Sequence, residues 1–239
     1  MASVPFFNGR FTPDWRMVLI AMIAIAFFTR LGFWQMARAV EKQQMVEAKT
    51  QGAAQAPVAL TAQKAAVSQY QTLSVQGNYL SHTFLLDNQH YQHQFGYDVL
   101  TPLQLASGEV VLVDRGFVPG DSARSKLPML TTPTALVSLT GYAYYPSAKG
   151  WMLGPAWEER GETTVIERID VKIVEQILHK SLYPFIIRLD KDAHDGYVRE
   201  WPVVSMPPAR HYAYAMQWFA IAFVVFILFI ALNLKKRDN

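Results

Sequence analysis

The sequence predicts a membrane protein in which two transmembrane α-helices flank an extramembrane α+β domain rich in antiparallel strands. Three observations support this fold class. The 239 residues are 51% hydrophobic with a mean hydropathy of +0.08. The apolar residues concentrate near the two ends, and the middle alternates short β-branched or aromatic runs with turn residues. Because soluble domains of this length are usually more polar, the apolar ends indicate membrane helices.

The apolar run near the C-terminus is long enough to cross a bilayer. From Tyr212 to Leu234 there are 23 residues without a formal charge, and only Gln217 and Asn233 among them are strongly polar. At ~1.5 Å of rise per residue, such a helix crosses the ~30 Å hydrocarbon core. The sequence therefore predicts a transmembrane helix over 209–234.

The apolar run near the N-terminus is shorter. Met17 to Phe28 supplies only 12 apolar residues. The helix reaches spanning length if it begins at Trp15 and continues through Trp34, with Arg30 snorkelling to the interface. A cleaved signal peptide is the alternative, because two arginines precede a short apolar core. No clean small-x-small cleavage site directly follows the run, which favours an uncleaved anchor.

Two spans place both termini on the same side of the membrane. Lysines and arginines near the membrane are balanced between the tails and the middle, but the positive-inside rule weakens for translocated stretches longer than ~60 residues. Because the KKR segment directly follows the second helix, we expect cytoplasmic termini. The predicted divisions are a cytoplasmic tail (1–14), transmembrane helix 1 (15–36), a helical extension and linker (37–69), a β-rich α+β domain (70–208), transmembrane helix 2 (209–234) and a basic cytoplasmic tail (235–239).

Short strand-like runs fill the middle of the chain. Each run carries β-branched or aromatic residues, and Gly, Pro, Asn or Asp separates it from the next, as in antiparallel sheets. An amphipathic helix is predicted at 170–180, where apolar residues recur on one face. A domain of roughly 140 residues is long enough to bury its own core. The predicted strands are 71–79, 83–91, 95–103, 109–118, 135–145, 184–190 and 196–204.

Several function classes are excluded or unsupported. The absence of cysteine excludes disulfides, thiolate metal sites and cysteine nucleophiles. A net charge of +3, with both signs interspersed, does not indicate a nucleic-acid-binding surface. No GxSxG, P-loop, GxGxxG, HExxH or EF-hand pattern is present. We expect Asp114 and Arg115 to end a strand and pair locally, and Asp114 has no visible partner for acid–base chemistry. No motif supports an enzyme.

Histidines are the remaining candidates for ligand chemistry. His90 and His93 lie in an expected hairpin connection, where surface histidines are the usual case and a metal site would need further ligands. His211 differs, because it stands one residue before the second apolar run. Tyr214 and Trp218 follow it at i+3 and i+7 on the same helical face.

Two interpretations of His211 stay open from spacing alone. Aromatic residues and arginines anchor membrane helices at the headgroups, so this segment can be an interfacial belt. Alternatively, a neutral imidazole can bind haem iron, flanking aromatics can pack on the porphyrin, and Arg210 can pair with a propionate. Arg30, Trp34 and Arg38 are spaced by four on the first helix, and they form a matching stripe of anchors or ligand contacts.

Five segments together resemble one protein family. LGFWQMARAVEK at 31–42 resembles the L-G-x-W-Q-x-x-R motif that closes the first membrane helix of the Surfeit-locus family of cytochrome oxidase assembly factors. RHYAYAMQWFAIA at 210–222 resembles the H-x-x-Y-A-x-x-W-F signature that opens the family's second helix. VQGNY at 75–79, GYDVLTPL at 96–103 and VLVDRGFVP at 111–119 resemble its intervening motifs, in the same order.

The resemblance implies a function in the maturation of haem–copper oxidases, in which haem, most readily haem a, is held transiently and inserted into the catalytic subunit. His211 matches the family's candidate ligand of the haem iron, Arg38 or Arg210 would meet the propionates, and Gly116 matches a motif glycine. The chain has Glu41 where many members have tryptophan. The implied cofactor-binding residues are His211, Tyr214, Trp218, Trp34, Arg38 and Arg210.

The implied partners are the catalytic oxidase subunit, the lipid bilayer and, as a further candidate, haem a synthase. The N-terminal segment lacks the Arg- and Ser-rich composition of a mitochondrial transit peptide, which favours a bacterial inner membrane and a periplasmic central domain. The alternative function is a scaffold that stabilises an oxidase subunit without binding haem, with His211 as an anchor only. A sensor or enzyme would instead require a small-molecule pocket inside the β-rich domain.

Overall fold

The computed structural model describes residues 4–6, 9–60, 67–147, 157–194 and 196–236. Parts of the predicted tails (1–3, 7–8 and 237–239), of the linker (61–66) and of the β-rich domain (148–156 and 195) lie outside the described residues.

The chain divides into two compact units, residues 1–47 with 203–239 and residues 48–202. The first holds the apolar helices and the second holds the main sheet. In chain order the elements are β1 (Val4–Phe6), β2 (Gly9–Phe11), α1 (Trp15–Ala54), β3 (Val58–Ala59), β4 (Thr72–Tyr79), β5 (Thr83–Tyr91), β6 (Gln94–Leu105), β7 (Val110–Pro119), β8 (Val137–Tyr144), β9 (Trp157–Arg160), β10 (Thr163–Ile166), α2 (Val171–Leu178), β11 (Leu182–Leu189), α3 (Pro208–Asn233) and β12 (Leu234–Lys236).

Two helices, α1 and α3, are long and apolar enough to cross a membrane. α1 runs for 40 residues because its polar continuation, Arg38 to Lys49, contains mostly good helix formers and neither Pro nor Gly. Pro208 opens α3 in the first turn, where its missing N–H leaves no hydrogen bond unmade. Together with the β-rich region between them, these helices confirm the predicted two-span fold class.

Small residues let α1 and α3 approach closely. A Cβ added at Gly32 would lie 2.5 Å from the ring of Phe219, so only glycine fits against this ring without a shift. The same ring packs edge-on against Phe33, with centroids 5.3 Å apart. Membrane helices commonly associate through such contacts, because lipid removes the hydrophobic driving force between them. The buried small residues of α3 and of the apolar part of α1 with its motif are Ala21, Gly32, Ala39, Ala215 and Ala222.

Five strands of the second unit form a closed ring. β4, β8, β11, β7 and β6 pair in that order, and β4 pairs with β6 to complete the ring. The closing register joins Gly77 to Leu105 and Tyr79 to Leu103. Alternate residues of all five strands, Val113 among them, point inward and form one apolar cluster. The interior of this small barrel is therefore filled by side chains.

The sheet continues outside the barrel. β6 is long, so its first half pairs with β5 and its second half with β4; β10 and β9 then extend the sheet beyond β5. α2 packs Val174 against the outer face. Asp170 caps this helix by accepting a hydrogen bond from the Lys172 amide, and His179 ends it in a left-handed conformation. The helix predicted at 170–180 is confirmed.

Three strand pairs are parallel, although most pairs are antiparallel as predicted. They are β3 with β4, β10 with β5, and β11 with β7. Parallel pairing of β7 and β11 requires a long return connection, and β8, β9, β10 and α2 supply it. The two- to four-residue strands β3, β9 and β10 were not predicted, because runs this short carry little periodicity.

The prediction of a strand at 196–204 is wrong. Within this segment, Val198 makes an isolated bridge to Phe117 at the far end of β7. Pro202 has no N–H to donate to a ladder. The indole of Trp201 donates instead to the carbonyl oxygen of Leu189 at 2.9 Å. The segment therefore lies along the end of the sheet without extending it.

A small second sheet joins the two ends of the chain. β1 and β2 form a hairpin, and β12 adds to β2. The Thr12 amide also donates to the Asn233 carbonyl oxygen at 3.0 Å. This sheet was not predicted, because each strand has only three residues. It brings both tails of the first unit together, as two membrane spans would.

Candidate functional site

His211 lies in the first turn of α3 and faces α1. Its Nδ1 is 2.8 Å from Oε1 of Gln35. An amide oxygen can only accept a hydrogen bond, so Nδ1 carries the proton and donates it. In the neutral form of the ring, the lone pair then lies on Nε2. Both side chains are half-buried, and the contact leaves one neutral nitrogen that Gln35 does not use.

The two aromatics predicted beside His211 have different surroundings. Trp218 is half-buried and stacks on Phe28 of α1, with centroids 5.8 Å apart and an interplanar angle of 16°. Tyr214 is 42% exposed. Trp218 is therefore part of the packing between the helices, whereas Tyr214 presents free ring surface one turn after His211.

The first-helix motif places a second exposed aromatic next to a cation. Trp34 is 51% exposed, and the Arg38 guanidinium lies 5.8 Å from its ring centroid. Nη1 of Arg38 is also 2.7 Å from Oε2 of Glu41. Glu41 lies within electrostatic range of His211 as well. Exposed ion pairs of this kind contribute little stability, so Arg38 can exchange this carboxylate for another one.

The remaining predicted cations occupy different positions. The Arg210 side chain is exposed, and it has no ion-pair partner among the residues that the structure describes. Arg30 and Trp34 line an apolar concavity of about 1230 Å³ that runs along α1 from Met22. The described lining of this concavity does not include His211. The three residues of the predicted stripe therefore have different surroundings. Arg30 and Trp34 line the concavity, whereas Arg38 contacts Trp34 and Glu41.

The other histidines offer no metal site in the described ranges. No group of three or more His, Cys, Asp or Glu side chains that could hold a metal ion occurs there. His90 lies on β5, and Gln92 and His93 form the turn to β6 with φ angles of 48° and 66°. Two successive positive φ angles are typical of a two-residue hairpin turn, so the predicted hairpin connection is confirmed.

A row of polar side chains crosses the outer face of the barrel. Tyr142, Arg188 and Asp114 are register neighbours on β8, β11 and β7. Arg188 donates from Nε to Asp114 at 3.4 Å, and its guanidinium lies 3.8 Å from the Tyr144 centroid and 4.9 Å from that of Trp201. The expectation that Asp114 ends a strand and pairs locally is wrong, because its ion-pair partner Arg188 is 74 residues away in sequence. β7 continues to Pro119, and Asp114 is fully buried beside Arg188.

Asp114 in this row and Asp98 on the neighbouring strand β6 both have raised pKa values. Burial raises the pKa of Asp98 to about 6. Burial, together with repulsion from Asp98, raises the pKa of Asp114 to about 8, although Arg188 opposes the shift. The described cavities of the β-rich unit, about 300 to 480 Å³, are not lined by these groups. Neither carboxyl therefore faces a substrate-sized cavity described in this unit.

The D-R-G motif on β7 is also built into the fold. Arg115 is buried, and its guanidinium lies 5.1 Å from the rings of both Tyr79 and Tyr197. Gly116 has a φ of +109°, and a Cβ there would lie 2.5 Å from the Val198 carbonyl oxygen. Only glycine combines this conformation with this approach. The motif is explained by packing of the backbone and of buried side chains.

Two features of the structure were not predicted from the sequence. Gln35 belongs to the first-helix motif. Its position in that motif, one turn before Arg38, was the feature of the sequence that could have identified it as a site residue. The partner of Asp114 could not be predicted from the sequence, because Arg188 is 74 residues away. His211 can offer a ring nitrogen that Gln35 does not use, and the exposed rings of Trp34 and Tyr214 lie within three residues of Gln35 and His211 along α1 and α3.

Comparison with known proteins places the chain in one family. No individually curated protein matches the sequence. The sequence profile of the SURF1 family, the Surfeit-locus family, matches residues 22–223. This range begins within α1, includes the whole main sheet and ends within α3, so it contains both membrane-helix motifs. The chain therefore belongs to the SURF1 family, a family of cytochrome oxidase assembly factors and not of enzymes.

Proposed function

We propose that this protein holds haem through His211, with haem a as the first candidate, and assists its insertion into the catalytic subunit of cytochrome oxidase. The observation that carries the proposal is the contact between His211 and Gln35. In the neutral ring, this contact leaves the lone pair on Nε2, and Gln35 does not use that atom. Membership in a family of oxidase assembly factors supports the catalytic oxidase subunit as the recipient of the haem. The catalytic subunit of a haem–copper oxidase requires haem.

The donor set around His211 fits such a ligand. Haem iron, when bound, accepts an imidazole nitrogen as an axial ligand. The exposed rings of Trp34 and Tyr214 supply flat apolar surface on the two helices. Arg210 is exposed without an ion-pair partner in the described part of the chain, and it can pair with a propionate.

Two of the six predicted contact residues have supporting functions in this proposal. Arg38 would meet a propionate after exchanging its exposed contact with Glu41. Trp218 holds α3 against α1 through Phe28 and therefore supports the position of His211. The binding surface then consists of residues that the free protein leaves exposed or weakly paired.

A transient carrier must release what it holds, and the geometry favours moderate affinity. A single nitrogen ligand from an exposed site provides fewer interactions than an enclosed pocket with two axial ligands. The paired groups nearby are exposed and exchange readily with water. We expect binding that is strong enough to collect haem and weak enough to pass it on.

The location follows from topology arguments. We propose a bacterial inner membrane, cytoplasmic termini and a periplasmic β-rich domain, supported by the basic segment directly after α3. In this orientation the His211 end of α3 lies at the periplasmic face. The catalytic oxidase subunit is the proposed partner, and haem a synthase is a further candidate as the donor.

The proposal is tested in cells whose oxidase depends on this protein. His211→Ala should lower the haem a content of the purified oxidase while the variant still co-purifies with the catalytic subunit. His90→Ala is the matched control, because His90 is exposed on a hairpin and is absent from the site. A fully haem-loaded oxidase with His211→Ala would contradict the carrier function and favour the scaffold alternative.

A further inference from the structure

The hydrogen bond between Gln35 and His211 joins two motifs that are 176 residues apart in sequence. Gln35 belongs to the first-helix motif and His211 to the second. A free histidine ring prefers its proton on Nε2, and that tautomer would hide the nitrogen that points away from the backbone. The side-chain oxygen Oε1 of Gln35 reverses this preference, because it can accept a hydrogen bond only from a protonated Nδ1.

Close helix approach makes this hydrogen bond possible. Ala39 lies one turn after Gln35 and is fully buried, and Ala215 lies one turn after His211 and is 3% exposed. Gly32 lies almost one turn before Gln35. The Phe219 ring packs so close to Gly32 that a Cβ at this position would collide with it. Small buried residues therefore flank the hydrogen bond on both helices, so the two polar side chains meet at a fixed separation.

We propose that Gln35 is a positioning residue: it fixes the tautomer and ring orientation of His211 so that Nε2 is the atom offered to the haem iron. This inference rests on the proposed function. Ligating histidines generally donate their other ring N–H to a protein acceptor, and that acceptor sets the basicity of the ligand. Gln35 occupies the acceptor position here.

The choice of an amide also has a consequence for release. A carboxylate acceptor pulls the Nδ1 proton, increases the electron density on Nε2 and strengthens binding to ferric iron. A neutral amide orients the ring with a weaker effect on its basicity. Gln35 therefore gives His211 the correct nitrogen without making it a strong ferric ligand, as a carrier that must transfer haem requires.

The first test needs no haem. Nitrogen-15 NMR of histidine-labelled full-length protein in detergent reports the tautomer of each of the six histidines, and His211→Ala assigns the relevant signal. We expect the Nδ1-protonated form for His211 in the native protein and the Nε2-protonated form in Gln35→Leu. Gln43→Leu is the matched control, because Gln43 lies on the same helix and donates to Glu47. An unchanged tautomer in Gln35→Leu would overturn the inference.

The second test uses haem-loaded protein. Gln35→Leu should weaken haem binding by ~10- to 100-fold, the usual cost of removing such an acceptor. Gln35→Glu should bind ferric haem more tightly and lower the midpoint potential, because a carboxylate replaces the amide. A purely structural glutamine would not give opposite changes with leucine and glutamate. Equal potentials and affinities in the three proteins would overturn the inference.

The two proposals fail in different ways. If His211→Ala keeps the native haem spectrum, His211 is not the ligand, and both the proposed function and the role of Gln35 are rejected. If His211→Ala loses the spectrum but Gln35→Leu keeps the native affinity and potential, the proposed function stands. In that case Gln35 is only a packing residue.

Discussion

The helix pair and the β-rich unit differ in the solvent exposure of the polar residues in their motifs. On the helices, Trp34, Tyr214 and Arg210 are exposed, and His211 is half-buried with a single hydrogen-bond partner. In the barrel unit, Asp114 and Arg115 are buried, with partners on neighbouring strands and loops. Polar groups that are buried and satisfied specify a fold, whereas exposed groups on a rigid frame are available to a ligand.

This difference separates two recognised motifs by function. V-L-V-D-R-G-F-V-P lies in the centre of the sheet, where each polar member is explained by packing. The motif that opens α3 leaves its first tyrosines exposed, and its histidine is half-buried against Gln35 of α1. We therefore expect changes in the sheet motif to alter stability, and changes at the exposed side chains of the helix motifs to alter ligand binding with little effect on stability.

The largest expected effect is on the sheet. Gly116→Val should destabilise the protein by ~3 kcal/mol or more, because a side chain at φ +109° is strained and its Cβ collides with the Val198 carbonyl oxygen. Thermal unfolding of the full chain in detergent, followed by tryptophan fluorescence, measures this. Gly161→Val is the control, with φ +69° and no atom within 4 Å of the added Cβ. Equal losses at both sites would contradict the role of the close approach.

The buried carboxyls predict a pH-dependent stability. Because the pKa of Asp114 is raised from 3.8 to about 8 by burial, the folded state binds this proton more tightly than the unfolded state. Its stabilising contribution is complete below about pH 4 and is lost as the pH rises through about 8, with a change on the order of a few kcal/mol.

Asp114→Asn should flatten this loss, since the amide does not titrate. Melting temperatures of the two proteins between pH 4 and pH 9 measure the difference in slope. Asp192→Asn, at an exposed position, should leave the slope unchanged. A native protein that becomes steadily more stable from pH 5 to pH 8 would contradict the buried-carboxyl account.

The contact between α1 and α3 gives an intermediate effect. Gly32→Leu should separate the helices at Phe219, cost about 1–3 kcal/mol of packing and lengthen the hydrogen bond between Gln35 and His211. Haem affinity should therefore fall although residue 32 is not itself a ligand. Ala37→Leu, at an exposed position of α1, is the control. Haem titration of both variants tests whether the helix pair forms the site as a unit.

The smallest expected effect concerns the ion pair beside Trp34. Glu41→Gln removes the carboxylate that holds Arg38 and should leave the melting temperature unchanged, because both side chains are about half exposed. Haem affinity should rise by no more than about threefold at low salt, and the gain should shrink as salt screens the freed charge. A large loss of affinity would show that Glu41 itself takes part in binding.

The sequence was most informative where structure depends on local pattern. Apolar run lengths predicted α1 and α3, and β-branched runs predicted the six longest strands, because both signals lie within a few consecutive residues. Barrel closure between β4 and β6 was not predictable, since it depends on a pairing between separate runs. The raised pKa of Asp114 likewise depends on burial and on the charge of Asp98, and only the folded sheet provides both.

The candidate site shows the same division. The position of His211 before an apolar run was visible in the sequence, and its two interpretations differ in what the ring contacts. Gln35 supplies that contact from the other helix, and no spacing rule within one helix could identify it. Trp218 was predicted as a ligand contact, a prediction that stays untested, and its observed partner in the helix pair is Phe28.

The most direct test of the central claim is the visible absorption spectrum of the full-length protein. It would be purified in detergent from cells that also synthesise haem a, alongside His211→Ala. We predict a Soret band at about one haem per protein in the native chain, which His211→Ala abolishes or shifts. A colourless native protein that still captures oxidase subunits would contradict the claim and leave His211 as an anchor of α3.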